Sequence, residues 1–104
     1  MILVNTDFIP GRNIKEVIGL VRGNTVQAKN IGKDIKAGIR NLTGGEIKEY
    51  TEMLTEAREI ALKRMSGKAE KLGADAVINI RFMTSAIMGG AAEILVYGTA
   101  VKLE

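Results

Sequence analysis

The chain predicts an α+β fold of two layers. An antiparallel sheet, its last strand central, packs against one long helix and one short helix. Three observations carry this expectation. An apolar stripe keeps helical spacing from Ile47 to Leu72, two strand patterns follow it, and the second of these, Ile94 to Leu103, is apolar on both sides. A chain of 104 residues suits one domain, 1–104, burying roughly two thirds of the surface its unfolded form exposes.

In chain order, Ile2 to Val4 reads as a short strand and Pro10-Gly11 as a turn after Phe8-Ile9. From Ile14 to Gln27 the pattern is again strand-like, with Ile14, Ile18 and Leu20 against Val17, Gly19 and Val21. The Arg22-Gly23-Asn24 triplet suits a bulge or a tight turn, so one bent strand and a hairpin both stay open.

Between Asn30 and Leu42, residues Ile31, Ile35, Ile39 and Leu42 line one helix face. Gly32 and Gly38 weaken that short helix, since an interior glycine costs about 1 kcal/mol relative to alanine. The long helix is better specified. Ile47, Tyr50, Leu54, Ala57, Ala61, Met65, Ala69 and Leu72 hold one face, and charge fills the other. Thr43 and Glu46 have capping-box spacing, and Gly73 supplies the stop. The small alanines on the stripe let the helix backbone sit close to a sheet.

After the stop, Ala76, Ile78, Ile80 and Phe82 alternate with Val77, Asn79, Arg81 and Met83. Thr84 to Ala92 reads as a loop joining this strand to Ile94–Leu103. A strand apolar on both sides belongs inside a sheet that is covered on both faces. Helices can close one face, and the rest of a 104-residue chain leaves nothing for the other. Self-association is therefore expected, because large contiguous apolar patches are uncommon on soluble monomers.

Many ordered residues now carry a family resemblance. Ile9-Pro10-Gly11, Gly44-Gly45-Glu46, Tyr50, Ala57-Arg58, Ala61, Arg64-Met65 and Leu72-Gly73-Ala74-Asp75-Ala76-Val77 belong to it. So do Thr84-Ser85 and Glu93 with Tyr97-Gly98-Thr99-Ala100-Val101. Over essentially its whole length the chain resembles the YbjQ-like family, whose domain carries a heavy-metal-binding label. The resemblance implies a dodecin-like subunit assembled as a homopentamer, with the last strand between two others. It implies no particular reaction.

Composition narrows the function classes. The chain has no cysteine and no histidine, which removes thiolate nucleophiles, Cys-type metal sites and the usual general base. A metal ion is expected only through the family label, and the soft ligands available are thioethers. Met83 and Met88, flanking Thr84 to Ile87, are the metal candidates, with gap-filling at an interface as their other role. Asp75 and Glu93 lack the spacing of a calcium loop. Aromatic residues make up 4% of the chain and its basic residues form no block, so nucleic acid is not an expected partner. The N-terminus lacks signal-peptide features and no run suits a membrane span, so a cytoplasmic location is expected.

The ligand-binding candidates are Arg81, Tyr97, Glu93, Arg40 and Arg58; Arg81 and Tyr97, with charge from Arg40 or Arg58, would suit a small anion as a pocket or form inter-subunit hydrogen bonds as interface residues. Thr43, Glu46 and Gly73 are read as structural, and Gly44-Gly45 as part of the helix cap. No catalytic residue is assigned. The expected function is an oligomeric module binding a small molecule or ion in an inter-subunit cavity. The alternatives are a ligand-free interaction scaffold and, last, an enzyme.

Overall fold

The sheet is built around β4 (Ala91–Leu103), which runs antiparallel to β2 (Ile14–Ala28) on one side and to β3 (Ala76–Met88) on the other. A two-residue strand, β1 (Ile2–Leu3), completes the order β1-β3-β4-β2. These relations come from a computed structural model that describes residues 1–28 and 48–104. The predicted short helix, the Thr43–Glu46 cap, Gly44-Gly45, Arg40 and Ile47 lie outside the described residues. β1 pairs in parallel with β3, so the sheet is mixed rather than wholly antiparallel. The chain leaving β1 then tracks β3, with Val4 N–H donating to the Val77 carbonyl at 3.0 Å and Asn79 N–H to the Thr6 carbonyl at 2.9 Å.

The single described helix, α1 (Lys48–Lys71), crosses one face of the sheet, mainly over β2 and β4. Its buried residues, Met53, Ala57, Ala61, Met65 and Ala69, recur every fourth position and form a ridge of the kind that packs into grooves. Met53 was not part of the expected stripe, and Leu72, which was, is 54% exposed. The cause is the cap. Gly73, at φ +79°, donates to the Glu70 carbonyl at 2.9 Å, and Ala74 N–H donates to the Ala69 carbonyl at 3.0 Å. These are the two bonds of a Schellman motif, which unwinds the chain before Leu72 reaches the sheet.

Gly23 explains how closely helix and sheet meet. A Cβ there would run into the Ala61 carbonyl oxygen and the Met65 amide nitrogen. The Arg22-Gly23-Asn24 triplet is thus neither a bulge nor a turn but the contact point of one continuous strand. The bulges of β2 lie earlier, between Ile14 and Glu16 and between Val17 and Gly19.

β3 departs from simple alternation at Asn79, which has φ +55°. Ile78 pairs with Thr99 and Arg81 with Tyr97, so two residues of β3 oppose Gly98 alone. The extra residue reverses the facing from Ile80 to Ala86, and a second register shift between Ala86 and Met88 restores it. Val77 and Ile80 join the core under α1, whereas Ala76 and Ile78 pack with Val101 and Leu103 on the other face. Expected alternation of Ala76, Ile78, Ile80 and Phe82 on one side is corrected accordingly. Gly98 accommodates the bulge, because a Cβ would lie 2.6 Å from Val77 Cγ1 and 3.0 Å from the Ile78 carbonyl oxygen.

Two apolar clusters result. The larger joins Val21, Val77, Ile80, Ile94, Val96 and Ala100 to the α1 ridge. The smaller, on the opposite face, is covered by Ile2, Val4 and Ile9. Pro10-Gly11 turns this covering segment back, with Gly11 at φ +78° and Arg12 N–H donating to the Ile9 carbonyl at 3.1 Å. The segment predicted as a Thr84–Ala92 loop is mostly strand, and Gly89-Gly90 form its turn. Every β3 residue from Arg81 to Met88 is exposed, while β4 beside it stays paired with β2 as far as Ala28–Ala91.

Candidate functional site

Beyond the small cluster, the sheet face opposite α1 is open among the described residues. Cross-strand partners point to the same side, so the register gives its rows directly. Arg22, Tyr97 and Arg81 form one row; Asn24, Leu95 and Met83 the next; Val26, Glu93 and Ser85 the third. Ala28, Ala91 and Met88 lie beyond them. Four sequence candidates, Arg81, Met83, Glu93 and Tyr97, thus occupy three adjacent rows.

Hydrogen bonds fix parts of this face. Arg81 Nη1 donates to the carbonyls of Asn5 and Ile80, each at 3.0 Å, which ties its guanidinium to the N-terminal segment. Asn24 Nδ2 donates to Glu93 Oε2 at 3.4 Å. Tyr97 stands between two arginines, and Leu95 between Asn24 and Met83. Charge and polarity occupy the middle of the face, with exposed Leu20 and Val26 along β2 and Met83 and Met88 along β3.

The structure separates the other candidates. Arg58 is exposed on α1, across the sheet from Tyr97. Arg40 lies outside the described residues, as do Thr43 and Glu46. Gly73 caps α1. Asp75 Oδ2 accepts from Leu103 N–H at 2.9 Å and so pins the end of β4. Sequence reasoning missed Arg22 and Asn24. Their signal was the Ile14–Gln27 strand pattern itself, which places them opposite Tyr97 and Leu95 only once β2 is known to be continuous.

The described residues of the chain do not fit a resident heavy metal. Among the described residues no group of three or more His, Cys, Asp or Glu is placed to hold one. Met83 and Met88 share a face, but the Ser85–Glu93 row lies between them. Their partners Leu95 and Ala91 are separated by about 13 Å along the strand. Thioethers that far apart do not converge on one ion.

Fold and face together define the class: an α+β protein with a mixed four-stranded sheet and one described helix. The chain belongs to the YbjQ-like family, whose model, described as "putative heavy-metal-binding", matches residues 1–104. Its relatives carry the name UPF0145 protein. The chain is 65% identical over 103 residues to the one from Clostridium novyi, covering 99% of each. It is 62% identical over 104 residues to that of Thermotoga maritima, covering 100% of this chain and 98% of the relative. With the Methanosarcina acetivorans protein it shares 59% over 103 residues, covering 99% and 97%. A solved structure of a DUF74-family protein of unknown function from Pediococcus pentosaceus superposes with a TM-score of 0.65. That alignment covers 100% of this chain and 98% of the other at 17% identity, so it speaks to the fold alone.

Proposed function

We propose that the chain is a two-layer subunit of a homo-oligomer, five copies by family resemblance, that binds a small molecule or ion between subunits. One observation carries the reading. The face opposite α1 combines exposed Leu20, Val26, Met83 and Met88 with the Arg22–Tyr97–Arg81 row and Glu93. Apolar edges around a polar centre suit a neighbour that seals the rim and leaves a polar pocket inside. Two arginines beside a tyrosine favour an anionic occupant, and Glu93 with Asn24 would orient its polar groups.

A soft ion fits this reading only if methionines from several copies meet around an axis. Assembly would supply the convergence that one subunit lacks. No described helix is long and apolar enough to cross a membrane, and a cytoplasmic location accords with this reading.

Native mass spectrometry of untreated protein tests the proposal. Extra mass retained on an oligomer of 11.2 kDa subunits, and lost in an Arg22→Ala/Arg81→Ala variant that still assembles, is the expected result. Bare oligomers across preparations would instead favour the scaffold reading, in which the charged outer side of α1 docks a partner. A metal role predicts tight binding that disappears in Met83→Leu/Met88→Leu. Unchanged affinity would remove both as ligands.

A further inference from the structure

A groove between the C-terminal half of α1 and β2 has chemistry that the sheet face lacks. Asn24, Lys63, Arg64, Gly67, Lys68 and Lys71 line it, around a volume of about 390 Å³. That is within the ~300–1,000 Å³ range of small-ligand pockets. Among the described residues its lining includes four cationic side chains and no carboxylate. Of the helix acids, Glu49, Glu52, Glu56 and Glu59 stand in its first half, and Glu70, in the second, is not part of the lining.

Helix physics accounts for part of this pattern only. Cations in the last turn, Lys68 and Lys71, complement the helix dipole. Arg64 with Lys68, and Lys68 with Lys71, are nonetheless like charges at neighbouring helical positions, each pair destabilising by a few tenths of a kcal/mol. Gly67 adds a second cost. An interior glycine forfeits about 1 kcal/mol of helix stability relative to alanine, yet a Cβ at Gly67 would meet nothing within 4 Å. Packing within the subunit therefore does not require it, unlike Gly23.

We infer that this groove binds an oligophosphate anion, a small ligand carrying two or more linked phosphate groups. The ligand would neutralise the clustered cations and lie against the helix where Gly67 has no side chain. Arg64 is already positioned, its Nη1 donating to the Asn24 carbonyl at 2.8 Å. Its remaining guanidinium donors and the mobile lysine ammonium groups suit phosphate oxygens. Lys63 to Lys71 spans about 12 Å of helix, more than one phosphate fills. The inference is independent of assembly and of the sheet face.

Isothermal titration of the purified, assembled protein with sodium pyrophosphate at low ionic strength tests it, with orthophosphate and chloride in parallel. Pyrophosphate is expected to bind at least about tenfold tighter than orthophosphate. Lys68→Gln/Lys71→Gln should lose about tenfold or more of that affinity. Gly67→Ala should weaken binding while raising the thermal midpoint, a split that a purely structural glycine does not produce. Pyrophosphate heats no different from chloride, or affinity unchanged in the double lysine variant, would overturn the inference. So would a short DNA duplex that outcompetes pyrophosphate at equal phosphate concentration, since the groove would then be a nucleic-acid surface.

Discussion

Four glycines separate two physical demands at the residue scale. Gly23 and Gly98 are required by contact, Gly73 by backbone conformation, and Gly67 by neither among the described residues. Gly23→Ala is expected to cost about 3 kcal/mol, the upper part of the overpacking range, because backbone atoms of α1 rather than a flexible side-chain tip must yield. Gly73→Ala should cost about 1 kcal/mol through its left-handed φ. Urea unfolding of the two variants beside Gly67→Ala gives the order directly. A Gly23→Ala protein as stable as wild type would show that helix and strand do not meet at this residue. Asn79 makes a related demand: Asn79→Gly should be tolerated, and Asn79→Val should lose about 1–3 kcal/mol at φ +55°.

The long helix was legible among the elements because its period is local, with Ala57, Ala61, Met65 and Ala69 recurring in a window that any reading along the chain can see. The Gly73 stop was legible for the same reason. The β3 bulge was not, since it exists only in the relation of Asn79 to Gly98, nineteen positions later. Reading β3 as simple alternation therefore put Ile78 and Ile80 on one face. The continuity of β2 was hidden likewise, because Gly23 resembles a turn residue until α1 is placed against it. Five site candidates ended on one face: Glu93 and Tyr97 because alternation is a reliable guide within β4, which has no bulge between Ala91 and Tyr97, and Arg81, Met83 and Met88 as cross-strand partners of Tyr97, Leu95 and Ala91. Arg58 did not, because sharing a charge with Arg81 says nothing about sharing a side of the sheet. The exposed β3 stretch from Arg81 to Met88 carries its own prediction. Amides of residues 82–88 should be protected from hydrogen exchange in the assembled protein and exchange rapidly under conditions that dissociate it. Rapid exchange in both would mean that no neighbour covers this stretch.

For the whole molecule, shape and surface chemistry point the same way. Its extents are 55 × 24 × 16 Å and its radius of gyration is 17.2 Å, against about 13 Å for a compact chain of this length. Among the described residues, the β3 stretch from Arg81 to Met88 and the sheet face opposite α1 leave apolar side chains in water that a second copy would cover. Leu20→Asp/Met83→Asp places charge on both edges of that face and should break the assembly while leaving the α1 core folded, as read by far-ultraviolet circular dichroism. The most direct test of the central claim is analytical ultracentrifugation of the unmodified protein at micromolar concentration. The account predicts a single species at a multiple of 11.2 kDa, five by family resemblance, and a sole 11.2 kDa monomer would contradict it.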